Sequence, residues 1–258
     1  MTHVEEAPLL VEERGRVLVL TLNRPQSKNA MILQLAEALA GALDGFDATP
    51  SMSVCVIRGA GGTFCAGMDL KGFARGKIPT VPGWGFAGIV ARPPVKSVIA
   101  AVEGFALGGG FEIAFACDLI VAAENATFGL PEVKRGLTAN GGGLLRLQNR
   151  VLYSFTMELV LTGRMLPAAE ATELHLVNRV AAAGRTLEVA LELAEAIAKN
   201  APLALAVSKK VMVNSVDWTV EEKFARQQDH VAPIRTSSDA AEGARAFIEK
   251  REPAWSGN

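Results

Sequence analysis

Two glutamates, Glu112 and Glu132, stand twenty positions apart, and the first follows a triple glycine in AVEGFALGGGFEIAFACD. A carboxylate set among apolar residues is costly unless it is paired or its pKa rises, and either outcome suits proton transfer. Gly108, Gly109 and Gly110 let a ligand approach bare backbone N–H groups. The pattern therefore reads as acid–base chemistry beside a backbone anion site. For Glu112 the plainer alternative is a helix-start acid favoured by the macrodipole. Phe111, Ile113, Ala114, Phe115, Ala116 and Cys117 leave that helix no polar face, so Glu112 is expected to be buried or to line a cavity. For Glu132, in GLPEVKRGL, an exposed loop acid paired with Lys134 or Arg135 stands level with the catalytic reading.

A small repeat surrounds this pair. Phe64-Cys65-Ala66-Gly67 and Phe105-Ala106-Leu107-Gly108 share the form FxxG. Such turns would aim the amides that follow, Met68 and Gly109, at one oxygen; each donor to an oxyanion is worth roughly 10² to 10³ in rate. Nucleotide motifs fit poorly. Gly59-Ala60-Gly61-Gly62-Thr63-Phe64 has phenylalanine where a dinucleotide turn needs its last glycine, and Gly62 to Gly67 is followed by Met68-Asp69, not by Lys and Ser or Thr. Asp69 reads as the cap of a following turn, and His175 as packing or helix termination. His3, His175 and His230 lack metal-site spacing, and Cys55, Cys65 and Cys117 form no CxxC pair, which suits a reducing cytoplasm.

The elements that must hold these groups are legible as repeated strand–turn–helix units. Arg16 to Leu22 reads as a strand, Met31 to Phe46 as a helix with Asn29 as its cap, and Val54 to Ile57, Ser97 to Val102 and Leu119 to Ala123 as further strands. Residues 72–92 read as a mobile loop and helix. After Ala201-Pro202 the pattern changes to amphipathic helices at Leu203 to Val213, Val220 to Gln228 and Asp239 to Arg251. The expected division is an α/β core over 1–200 and a helical region over 201–258. The 258 residues are half hydrophobic, enough for a sizeable core. Lys plus Arg number 26 against 27 Asp plus Glu, which leaves no basic field for nucleic acid or anionic lipid. MTHVEEAPLL lacks the basic-then-apolar order of a signal peptide, and the apolar stretch Val95 to Ala123 carries too many charges and glycines to span a membrane. A cytoplasmic location is expected.

FCAGMDL followed by AAVEGFALGGGFEIAFACDLIVAAENATFGLPEVKRG resembles the heart of the enoyl-CoA hydratase/isomerase, or crotonase, superfamily. LNRPQSKNA, LVLTGRMLPAAEATELHLVNRV and EGARAFIEKREPAW extend the likeness over nearly the whole chain. The resemblance implies a spiral of ββα units, a C-terminal helical trimerisation region and a homotrimer or hexamer. It implies an acyl-CoA thioester substrate and no cofactor beyond its CoA moiety. By position, Met68 and Gly109 resemble the oxyanion-hole amides, and Glu112 and Glu132 the two hydratase glutamates. Lys28, Ala30, Ala66, Asp69 and Leu70 resemble the family's CoA contacts, and Phe247 and Lys250 residues that reach a neighbouring subunit's CoA. The implied reaction is hydration of a trans-2-enoyl-CoA, with enoyl-CoA isomerisation and non-catalytic acyl-CoA binding as alternatives. Where many hydratases read IPGAGGTQRL this chain has LTANGGGLLRL, with Ala139 and Asn140 near the acyl pocket. GGGFE, LPEVKRG and EKREPAW resemble carnitinyl-CoA dehydratases more closely, which makes that dehydration a further alternative.

Overall fold

The computed structural model describes residues 7–258, so His3 lies outside the described residues. A hairpin opens the chain: β1 (Leu9–Arg14) pairs antiparallel with β2 (Val17–Leu22). Helix α1 (Leu33–Ala48) leads to β3 (Val54–Gly59), and a short α2 (Leu70–Phe73) precedes the small hairpin of β4 (Thr80–Val81) and β5 (Gly85–Phe86). The centre of the chain runs β6 (Ser97–Val102), β7 (Phe105–Leu107), α3 (Gly109–Ala116), β8 (Leu119–Ala123) and β9 (Thr127–Gly129). Then follow a 3-10 turn (Pro131–Arg135), α4 (Gly143–Leu147), α5 (Tyr153–Thr162), β10 (Met165–Pro167), α6 (Ala168–Glu173), β11 (Arg179–Ala181) and α7 (Thr186–Ala198). Helices α8 (Pro202–Asn214), α9 (Lys223–Val231) and α10 (Ser238–Glu249) finish it.

The large sheet has the order β1-β2-β3-β6-β8-β11 and is parallel from β2 onward. Its central strands are buried on both faces, which explains why they read as unbroken runs of Val, Ile and Leu. One face carries Leu18, Leu20, Cys55, Ile57 and Ala100 into the main core with Leu35, Leu39 and Leu43 of α1. The other packs Val17, Val19, Val54, Val56 and Ile99 against Ala190 and Ala194 of α7. Each fully buried Val, Leu or Ile among these contributes about 1.5–3 kcal/mol. Strand β1 escaped the sequence reading because only Leu9 of its six residues is buried, so it lacks the period-two pattern of a half-buried strand.

A second sheet, β10-β9-β7, lies beside the first. The chain steps from the large sheet to the small one twice, β6 to β7 and β8 to β9, and the first step feeds directly into α3. The two FxxG turns are zipped side by side: Cys65 N–H donates to Phe105 O at 2.9 Å and Leu107 N–H to Cys65 O at 3.0 Å.

Two expectations need correction. Asn29 does not cap α1, which starts at Leu33 behind Ile32 with no side-chain cap. Asn29 is buried with φ 54° and uses its amide to join two loops, accepting from Arg24 N–H at 2.9 Å and donating to Ala60 O and Thr63 O. Buried backbone carbonyls demand donors, and that tertiary demand outweighs local capping. Residues 74–92 form no helix: past α2 the segment makes the β4–β5 hairpin and turns, with Gly76, Gly83, Gly85, Ala87 and Gly88 at positive φ. Such backbone is incompatible with α-helix.

Helix α8 is tied to the large sheet by Lys209, whose Nζ donates to Asp118 Oδ2 at 2.7 Å and to Lys96 O at 2.8 Å. The terminal region exposes large apolar side chains: Met212 on α8, Val216 and Val220 on the connection to α9, Phe224 on α9, and Phe247 and Ile248 on α10. His175 stands just past α6 with φ 57° and ends that helix.

Candidate active site

Helix α3 is buried along its whole length. That places Glu112, in its first turn, at 3% exposure. The carboxylate is met by a second glycine run, Gly141 to Gly143. Glu112 Oε1 accepts from Gly143 N–H at 3.0 Å. A Cβ on Gly141 would stand 2.5 Å from Glu112 Oε2, so the carboxylate lies directly on that backbone. Burial pushes the Glu112 pKa up, while the Gly143 and Gly141 N–H groups and the charge of Arg146 pull it down.

Glu132 reaches the same space from the 3-10 turn after β9. The turn is held by Pro131, the buried residue of the segment, and closed by Gly136 in the left-handed conformation. The side chain passes beneath the start of α3, and a Cβ on Gly108 would stand 2.9 Å from Glu132 Oε1. Its other oxygen, Oε2, is buried and has no hydrogen-bond partner among the described residues. Burial raises the Glu132 pKa from its ordinary 4.5 to about 7, and the charge of Glu112 pushes the same way; its own backbone N–H and Arg135 oppose them. Glu132 makes no salt bridge with Lys134 or Arg135, so the exposed-pair alternative fails: its turn aims the acid inward.

The two FxxG turns supply the opposite wall. Gly67 adopts φ 95°, and a Cβ there would stand 2.8 Å from Leu107 O and 3.3 Å from Gly109 N. Only glycine lets the turns approach this closely. Met31 N–H donates to Gly67 O and Asp69 N–H to Met31 O, while the N–H groups of Met68 and Gly109 donate to no acceptor among the described residues. The four groups singled out from the sequence, Glu112, Glu132, Met68 and Gly109, line one cavity of about 810 Å³. Chemically the cavity offers two amide donors without a partner among the described residues, one carboxyl anchored on backbone N–H groups and one carboxyl whose pKa is pushed up to about 7.

The residues expected at the CoA portion separate into four groups. Ala66 and Leu70 line the cavity. Lys28 and Ala30 lie on the loop alongside, joined by Ala66 N–H donating to Lys28 O at 3.0 Å, with Lys28 Nζ 5.2 Å from the Phe105 ring centre. Asp69 instead caps α2 through Gly72 N–H at 3.0 Å and pairs with Arg24 at 3.3 Å, which lowers its pKa. Phe247 and Lys250 lie exposed at the end of α10, outside the cavity lining. Sequence reasoning missed Phe86, whose ring covers Gly109, and Arg146. The glycine run 141–143 was the available signal that a second backbone segment approaches a functional group.

The described residues contain no helix long and apolar enough to cross a membrane, and no group of three or more His, Cys, Asp or Glu placed to hold a metal ion. Residues 12–258 match the family model described as enoyl-CoA hydratase/isomerase. The chain belongs to the enoyl-CoA hydratase/isomerase family. Among solved structures of this crotonase family it resembles an enoyl-CoA hydratase from Mycobacterium marinum, with 52% identity, 98% of this chain and 100% of the other covered, and a TM-score of 0.96. A carnitinyl-CoA hydratase from Mycobacterium avium shares 42% identity over 98% of this chain and 100% of its own, with a TM-score of 0.79. A carnitinyl-CoA dehydratase from Salmonella heidelberg (strain SL476) is 41% identical, over 96% of this chain and 98% of its own length. The mixed α/β architecture with a helical C-terminal region is thus the crotonase one.

Proposed function

We propose that this protein is an enoyl-CoA hydratase, adding water reversibly to a trans-2-enoyl-CoA to give a 3-hydroxyacyl-CoA. The observation that carries the reading is the unequal pair of carboxyl groups in one cavity beside two unused amide donors. Met68 N–H and Gly109 N–H polarise the thioester carbonyl, drawing electron density from the double bond so that C3 becomes electrophilic and charge collects as an enolate. Glu112, the anchored carboxylate, takes a proton from water as its oxygen bonds to C3. Glu132 delivers its proton to C2, and the enolate electron pair closes that C–H bond. The pair ends with its single proton moved from Glu132 to Glu112, so dehydration runs the same steps backward.

Because one proton on the pair is required in both directions, the rate follows a bell-shaped pH curve. Its alkaline limb falls as pH rises through the Glu132 value of about 7. Its acid limb falls when Glu112 also protonates.

Ala66, Leu70, Lys28 and Ala30 are assigned to the CoA portion, at the mouth beside the FxxG turns. Homotrimers or hexamers are proposed on the apolar side chains exposed along α8, α9 and α10, a surface too apolar to stay in water; Phe247 and Lys250 would then face a neighbouring copy. Light scattering should return three or six chain masses.

A second reading, carnitinyl-CoA dehydration, is favoured by relatives of that name at 41% identity. It needs the same acid–base pair and differs in the acyl group. Loss of the conjugated thioester absorbance with crotonyl-, octenoyl- and dodecenoyl-CoA, set beside crotonobetainyl-CoA, separates the two. Turnover confined to the betainyl substrate selects the second reading, and absence of any turnover despite thioester binding defeats both.

A further inference from the structure

Four charged side chains line the cavity: Glu112, Glu132, Arg135 and Arg146. Arg135 is exposed on the same turn as Glu132. Arg146 is held differently. Its Nη2 donates to Val90 O at 2.6 Å, joining α4 to the segment that follows β5. Its Nη1 lies across Gly142, so close that any side chain there would displace it. Gly142 has φ 92° and is therefore glycine for two reasons, its backbone angle and the guanidinium resting on it. The same short segment presents Gly143 N–H to Glu112, so one turn of chain carries both the donor to that carboxylate and the surface on which the guanidinium rests.

The charges around Glu112 can be followed element by element. Helix α3 itself carries no other charged side chain. The 131–135 turn brings Glu132, which opposes ionisation of its neighbour, and Arg135, which acts on Glu132. Arg150, beyond α4, is committed to Phe115 O and Cys117 O at the far end of α3. Arg146, resting on Gly142 beside the Gly143 donor, is the cation whose charge draws the Glu112 pKa down.

We propose that Arg146 is a positioning residue: anchored on Val90 O across Gly142, its guanidinium keeps Glu112 a carboxylate and docks the segment after β5 as a wall of the acyl cavity. The role rests on Glu112 serving as the base of the hydration reaction. An arginine suits it because its fork bonds one carbonyl while the delocalised charge remains beside the carboxylate.

The deciding experiment follows Glu112 directly, without substrate. Protein labelled with ¹³C at the glutamate carboxyl carbons is titrated by NMR, with the Glu112 signal assigned by its loss in Glu112→Gln. Arg146→Gln retains a donor for Val90 O but no charge. It should move the Glu112 midpoint upward, because the cation that favours the ionised form is gone. Arg146→Lys should restore most of the wild-type midpoint while weakening the Val90 contact. Gly142→Ala, which displaces the guanidinium with the arginine still present, should shift the midpoint as Arg146→Gln does. The acid limb of kcat/KM should move by the same amount. Loss of thermal stability with an unmoved midpoint would reduce Arg146 to a structural clamp, and equal shifts in Arg146→Gln and Arg146→Lys would overturn the charge argument. A midpoint that moves in a protein showing no hydratase turnover would sustain the Arg146–Glu112 coupling and reject the hydratase reading instead.

Discussion

Helix α3 and the 131–135 turn each carry one glutamate into the same cavity, yet they treat it oppositely. Helix α3 is rigid and fully buried, and it sets Glu112 against backbone N–H donors from Gly143 and Gly141 and against Arg146. The turn is short, with Pro131 as its buried residue, and Glu132 leaves it to end with an oxygen that no protein donor meets. Burial raises both pKa values. The Gly143 and Gly141 N–H groups and the charge of Arg146 draw the Glu112 value down, while the Glu112 charge pushes the Glu132 value further up. Two side chains of one type are thereby tuned differently, because the surroundings and not the side chain set the pKa.

The largest effect expected from this asymmetry is on turnover. Glu112→Gln and Glu132→Gln should each lower kcat by about 10² to 10⁴, the range typical of a general acid or base, with little change in binding of a non-reactive acyl-CoA. Full activity in either variant would remove that residue from the mechanism. Next in size is Gly141→Ala, whose methyl would press on Glu112 Oε2 from 2.5 Å. Displacing the base by a fraction of an ångström should cost about 10-fold to 10² in kcat, with KM nearly constant. Unchanged kcat would mean that the Gly141 contact does not position the base.

A smaller effect is one of stability and has the opposite sign from the loss of activity. The folded Glu132 value of about 7 exceeds its ordinary 4.5, so the folded state holds a proton that the unfolded chain releases between those values. This group's contribution is fully present below pH 4.5 and is lost as pH rises through about 7. Glu132→Gln should therefore melt at a higher temperature than wild type above pH 7 and close to wild type in acid, read by calorimetry across pH. A variant less stable at high pH would show that the ionised acid has a partner. The smallest shift belongs to Arg135→Leu. Removing that cation raises the Glu132 pKa and moves the alkaline limb of the rate profile upward. Arg135 is exposed, so the shift should be a small fraction of a unit and should vanish in high salt.

Much of the site was legible because its parts are local in sequence. FxxG followed by a bare amide, a triple glycine before Glu112 and an apolar helix without a polar face all follow from neighbours within a few residues. Glu132 was only half legible: the choice between an exposed ion pair and an inward acid turns on which way a 3-10 turn points, and Lys134 and Arg135 made both readings equal. Arg146 was not legible at all. Its meaning depends on Val90, fifty-six positions earlier in the chain, and on a carboxylate thirty-four positions away. Asn29 misled for a related reason, since a residue suited to cap the next helix was claimed by carbonyls of a distant loop.

Sequence by itself determined which strands lie inside the large sheet, that the chain ends in helices, and which four groups to look for in one cavity, since hydrophobic periodicity and glycine placement are properties of adjacent residues. Tertiary structure alone decided that the two carboxyl groups share a cavity and how far burial raises the pKa of Glu132. Desolvation and hydrogen-bond supply are set by atoms that folding brings in from remote parts of the chain, and no local pattern records them.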